Sequence, residues 1–173
     1  MKACLVRISK ISLHMNFILA CVISCRRIRG FLYDNQVYSH LIGEGSRRCL
    51  SSAIRFDIDP KLVSQLSNKY CEVIFVERLP FGVFADPFEL QHLHQHAFTD
   101  VAFCGDTNLE LPSFLSNQSV VEVHMKVDLN SLLTHKRGLE ILVVLPLHAR
   151  YPHLDESGYS IVEFGDPNLF MHC

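Results

Sequence analysis

Between Ser119 and Asp128 the chain reads SVVEVHMKVD, in which Val121, Val123, Met125 and Val127 alternate with Glu122, His124, Lys126 and Asp128. A period of two puts the first set on one face of an extended strand and the second on the other, so the segment is a half-buried β-strand rather than a helix. Four more runs are rich in Val, Ile and Phe: SSAIRFDI (51–58), CEVIFVERL (71–79), LEILVVLPL (139–147) and YSIVEF (159–164). LEILVVLPL is apolar on both faces and suits a central strand, with Pro146 marking its end or an edge because proline has no N–H to give to the ladder. Turn-forming clusters separate the runs, among them Asp59-Pro60, Ala85-Asp86-Pro87, Cys104-Gly105-Asp106 and Gly165-Asp166-Pro167. Two segments read as short helices, PKLVSQL (60–66) after an Asp59 cap and PFELQHLHQH (87–96) after an Asp86 cap with Pro87 in the first helical position. No long amphipathic helices alternate with the strands, which argues against a doubly wound α/β fold. The pattern predicts a mainly β protein, an antiparallel sandwich of about seven or eight strands with one or two short helices.

The 173 residues carry enough apolar material for one such core, with 49% hydrophobic against 20% charged residues. Charge is uneven. Residues 1–30 hold six basic side chains and no acid, whereas residues 31–173 hold ten basic and eighteen acidic, a net of minus eight. An acidic body repels a polyanion, so nucleic acid is a poor partner. Within the basic head, ISLHMNFILACVISC (11–25) has no full charge and the length of a signal-peptide apolar core. As a helix it would span about 22 Å, short of the roughly 30 Å hydrocarbon core. Residues 1–30 are therefore expected to be a signal peptide or signal anchor, and residues 31–173 a lumenal β-rich domain. Asn117-Gln118-Ser119 is an N-glycosylation acceptor in a turn-rich stretch after Pro112, which fits entry into the secretory pathway. The seven cysteines form no Cys-x-x-Cys pair, so zinc-ribbon and dithiol chemistry have no support.

Several groupings touch on enzyme chemistry. His92, His94 and His96 would share one face of a strand and suit zinc, but Asp86-Pro87 starts a helix, on which only His92 and His96 would align. Asp57-Ile58-Asp59 matches the two-carboxylate pattern by which some sugar-nucleotide transferases hold a divalent cation, although a helix cap before Pro60 explains Asp59 more simply. Gly43-Glu44-Gly45-Ser46-Arg47-Arg48 lacks the rest of a phosphate loop, and no Gly-x-Ser-x-Gly elbow is present. The residues themselves offer no catalytic set, no metal site and no cofactor site. A metal-dependent sugar-transfer enzyme and a secreted sandwich binding an unrelated partner are two readings that the residues leave open.

Three stretches carry a family likeness: LPFGVFADPFEL (79–90), LELPSFLSNQSVVEV (109–123) and LPLHARYPHLDESGYSIVEFGDPNLFMHC (145–173). In order and spacing they resemble the phosphatidylinositol-glycan biosynthesis class X (PIG-X) family from about Cys49 to Cys173. The resemblance implies a non-catalytic accessory subunit on the lumenal side of the endoplasmic-reticulum membrane. It would bind and stabilise PIG-M, the catalytic subunit of the mannosyltransferase that adds the first mannose to the glycosylphosphatidylinositol (GPI) precursor, with no cofactor or small-molecule substrate of its own. The family's lumenal domain is followed by a C-terminal membrane span that the present residues do not include. Cys71 and Cys173 fall where the family carries cysteine and are expected to form a disulfide. On this reading the partner is met by Pro80, Phe81, Gly82, Phe84, Asp86, Pro87 and Phe88 of the Leu79–Leu90 loop and by Pro146, His148, Arg150 and Tyr151 of the strand end. Aromatic side chains there supply contact area at low entropic cost, at least one of Phe81 and Phe84 being exposed, and Arg150 makes a forked polar contact.

Overall fold

The computed structural model describes residues 4–8, 34–57, 70–93, 98–106, 108–128, 139–152 and 160–172. These form ten strands, β1 (Cys4–Ile8), β2 (Asp34–Ile42), β3 (Arg47–Asp57), β4 (Tyr70–Leu79), β5 (Val83–Phe84), β6 (Asp100–Cys104), β7 (Ser119–Asp128), β8 (Leu139–Ala149), β9 (Ser160–Phe164) and β10 (Asn168–His172). One helix, α1 (Pro87–Leu93), follows β5. Eight strands make two four-stranded sheets, ordered β10-β4-β7-β6 and β2-β3-β8-β5, and every pairing within them is antiparallel. The remaining two, β1 and β9, pair in parallel.

Alternation decides which faces meet. In the first sheet Cys71, Val73, Phe75 and Leu79 stand opposite Val127, Met125, Val123 and Ser119, and all are buried. In the second, Leu50, Ile54 and Phe56 of β3 share the buried face with Val143, Leu145 and Leu147 of β8. These two inner faces join in one apolar cluster, which makes the protein a β-sandwich. Removing each large apolar side chain from water contributes roughly 1.5–3 kcal/mol, so this shared layer dominates the stability of the fold. The run CEVIFVERL also buries Ile74 and Val76 on its other face, which is why its apolar pattern is continuous rather than alternating.

The expected strands at 51–58, 71–79, 119–128, 139–147 and 159–164 are all present. β1, β2, β5, β6 and β10 were not anticipated, β1 lying within the head expected to be a signal peptide or anchor. β8 continues through Pro146 to Ala149. Proline is accommodated there because β5 covers the second edge of β8 only at His148 and Ala149. Gly43-Glu44-Gly45-Ser46 is the turn joining β2 to β3, with Gly45 at φ 74°, a backbone conformation that glycine adopts without strain. The expected helix at 60–66 and most of the head (residues 1–3 and 9–33) lie outside the described residues. Among the described residues no helix is long and apolar enough to cross a membrane.

Candidate partner-docking surface

At one end of the sandwich the β4–β5 turn, α1, the end of β8, the loop before β7 and β9 come together. Pro80 accepts a hydrogen bond from the Val83 amide (3.1 Å), closing the turn that lifts Phe81 into solvent. Gly82 is required by close packing, since a Cβ built there would stand 2.3 Å from Cγ2 of Val162 on β9. Asp86 caps α1 as its place before Pro87 implies, its carboxylate accepting from the Phe88 amide (2.9 Å) and its carbonyl from the Leu90 amide (2.9 Å). Leu90 is thereby buried while Phe88 projects outward.

The strand end Pro146–Tyr151 is used mainly within the chain. His148 stacks on Phe84 (centroids 5.1 Å apart, planes at 17°) and lies 2.9 Å from Glu89, whose second oxygen is 2.9 Å from Arg47. The guanidinium of Arg150 sits 4.7 Å over the same Phe84 ring and donates through Nη1 to the carbonyls of Asn108 and Leu111, both at 2.9 Å. Arg150 is only 5% exposed. Burial lowers its pKa, with the Asp106 carboxylate opposing the shift. This arginine anchors the 108–111 loop from inside, so the forked polar contact expected of it is made to its own chain. Tyr151 is exposed, while its carbonyl accepts from the Ser113 amide (3.0 Å). Of the aromatic pair in the turn, Phe81 is the exposed member and Phe84 is half-buried.

Three exposed apolar residues at this end were missed from sequence: Phe114, Leu115 and Ile161. Alternation in YSIVEF could have flagged Ile161, because it and Glu163 fall on the face opposite Val162 and Phe164. Ser116 ties the 113–116 turn to the β4–β5 turn, its hydroxyl donating to the carbonyls of Phe81 (2.9 Å) and Ser113 (3.0 Å).

The other candidates are dispersed. Asp57 ends β3 opposite Asp34, and Asp59 lies outside the described residues. His92 is exposed near the end of α1, and His94 and His96 lie outside the described residues. Among the described residues no group of three or more His, Cys, Asp or Glu side chains is arranged to hold a metal ion. On the outer face of the first sheet His124 bridges two carboxylates, 2.9 Å from Glu72 and 2.8 Å from Glu122. Burial opposes the imidazolium, but the two hydrogen bonds and charges outweigh it and raise the His124 pKa above its ordinary value. Asn117 is exposed, and Ser119, two positions on, is buried at the start of β7.

Cys71 and Cys104 are both disulfide-bonded, whereas Cys49 is free. They are not bonded to one another. Across β7 they face Val127 and Val120, seven residues and about 23 Å apart along the strand. Cys173, the expected mate of Cys71, lies outside the described residues.

The model of the PIG-X / PBN1 family matches residues 51–173. A rat protein named "GPI alpha-1,4-mannosyltransferase I, stabilizing subunit" is 30% identical over 106 residues, covering 60% of this chain and 39% of the relative. The human protein of the same name is 28% identical over 106 residues, 60% of this chain and 38% of its own length. "Protein PBN1" of the yeast Debaryomyces hansenii is 28% identical over 152 residues, 86% of this chain and 28% of the relative. The chain thus spans about two fifths of the length of the mammalian relatives it matches. No solved structure matches.

Proposed function

Because the chain belongs to the PIG-X / PBN1 family, we propose that it is a non-catalytic accessory subunit that stabilises GPI mannosyltransferase I, the enzyme adding the first mannose to the GPI precursor. The observation that carries this reading is the family match over residues 51–173, which takes in the sandwich from Ser51 onward, together with the name shared by the mammalian relatives. The partner is the catalytic subunit, PIG-M, met on the lumenal side of the endoplasmic-reticulum membrane. Residues 1–30 act as the signal peptide or anchor and residues 31–173 as the lumenal domain, which requires the pairing of β1 with β9 to be given up once the head enters the membrane or is cleaved. Contact is made through the aromatic end of the sandwich, with Phe81, Phe88 and Tyr151 as the outward members of the expected set. Pro80, Gly82, Asp86, Pro87 and Pro146 shape the backbone that presents them, and Phe84, His148 and Arg150 hold it from beneath.

The test is complementation in cells lacking the endogenous subunit. Expression of the chain should restore the steady-state amount of the catalytic subunit and of GPI-anchored proteins at the cell surface. Asp57→Asn and Asp59→Asn should restore both equally well. Loss of mannosyl transfer in either variant, with the complex assembled in normal amount, would replace this reading with a metal-dependent enzyme.

Two covalent features belong to the same lumenal reading. Asn117 carries an N-linked glycan, which its exposure permits, so endoglycosidase treatment should shift the mobility of the chain and leave Asn117→Gln unshifted. Cys71 is bonded to Cys173, supported by the β10–β4 register, in which His172 faces Glu72 and the sequence continues with Cys173. Peptide mapping without reductant distinguishes that pair from any other bridge of Cys71.

A further inference from the structure

Phe81, Phe114 and Ile161 are 50%, 62% and 67% exposed and converge on one open hollow of about 790 Å³. They come from three separate parts of the chain, the β4–β5 turn, the 113–116 turn and β9. Free monomers seldom leave large apolar side chains gathered in one concavity. Four consecutive residues of β9, Ser160–Glu163, line the hollow. Successive strand residues point to opposite faces, so a space touching all four runs along the strand rather than over one face of it. β1 pairs with β9 along Ser160–Phe164 on one edge, and among the described residues no strand pairs along the other. Glu163 is the one acidic residue of the lining, and no Lys or Arg takes part.

From this juxtaposition we infer that the hollow seats an extended apolar segment of the partner polypeptide, laid along β9 as an added strand, with a basic side chain of that segment meeting Glu163. Strand addition draws affinity from main-chain hydrogen bonds and selectivity from pockets for alternate side chains, and Phe81, Phe114 and Ile161 frame such pockets. The carboxylate sets the sign of charge the segment must carry. A bilayer surface is a worse fit, because lipid contact favours projecting apolar groups flanked by Lys or Arg, whereas this site is concave and acidic. The inference rests on the accessory-subunit reading and adds to it the place and mode of contact.

Site-specific photocrosslinking in the assembled complex tests it. A photoreactive phenylalanine analogue is placed at position 114 or 161 of the full chain expressed in microsomes. Position 38 serves as the control, because Tyr38 is exposed on β2, an edge strand of the second sheet. Crosslinks from 114 and 161 to one short stretch of the mannosyltransferase catalytic chain, absent from 38, are expected. Glu163→Lys should lower the amount of co-purifying catalytic chain about tenfold, and Glu163→Asp should restore most of it. The inference is overturned if the catalytic chain co-purifies normally yet positions 114 and 161 crosslink to lipid, to this chain's own residues 9–33, or to nothing. In those cases the accessory-subunit reading survives. If the unmodified chain brings down no mannosyltransferase at all, that reading fails and the docking mode fails with it.

Discussion

Glu77 occupies a position on β4 that the fold would fill with an apolar residue. It stands opposite Val121, between Phe75 and Leu79 on the face turned into the core, and is only 2% exposed. Its Oε2 has no hydrogen-bond partner among the described residues. Burial pushes its pKa up from 4.5 to about 8, with Arg78 opposing and Asp166 adding to the shift. The folded protein therefore keeps a proton that the unfolded chain releases above pH 4.5. Each pH unit between about 4.5 and 8 then costs about 1.4 kcal/mol of stability, because the unfolded state binds fewer protons over that range. The loss is about 3 kcal/mol at pH 7 and about 5 kcal/mol above pH 8, large against the 5–15 kcal/mol that holds a typical domain folded. Glu77→Gln removes the titration and should gain about 3 kcal/mol at pH 7 while changing little near pH 4.5. Glu77→Leu should gain at least as much, since it also removes the unpartnered oxygen. Urea unfolding of the full chain and both variants at pH 5, 6, 7 and 8 measures this directly. If the wild type and Glu77→Gln lose stability in parallel across that range, the carboxyl is not held neutral and the reasoning is wrong.

Three further outcomes follow from local geometry. Gly82→Ala should destabilise by about 1–3 kcal/mol, because its Cβ displaces β9 through Val162, and adding Val162→Ala should recover part of the loss in a double-mutant cycle. Arg150→Met should cost about 2–4 kcal/mol and expose the 108–111 loop to protease, since the carbonyls of Asn108 and Leu111 lose a charged donor; an unchanged urea midpoint would deny the anchor. His124 has a raised pKa, so its stabilising contribution is fully present below pH 6.5 and is lost as pH rises through the folded value. His124→Gln should flatten that part of the profile without touching the part assigned to Glu77.

Local periodicity carries much of this fold, and it is visible in the residues themselves. β3, β4, β7, β8 and β9 were legible because alternation and β-branched side chains act within a few residues, and α1 because Asp86 and Pro87 start a helix by short-range hydrogen bonding and geometry. β2 and β6, with sequences DNQVYSHLI and DVAFC, lie at sheet edges, where one side meets solvent and apolar content falls, so their pattern is weak. Outside this reach lies everything that depends on pairing distant segments. The sequence CEVIFVERL shows a strand but not which face turns inward, and so does not reveal that Glu77 is a core carboxyl. Arg150 reads as a surface cation until the chain returns the carbonyls of Asn108 and Leu111, 42 and 39 residues away, to its guanidinium. The docking end is the extreme case. Phe81, Phe114 and Ile161 are unremarkable singly, and only the packing of Gly82 on Val162 and the bond from Ser116 to Phe81 assemble them into one hollow. The physical reason is that side-chain alternation is set by backbone geometry alone, whereas a site is set by register and sheet packing, which are determined by the whole chain at once.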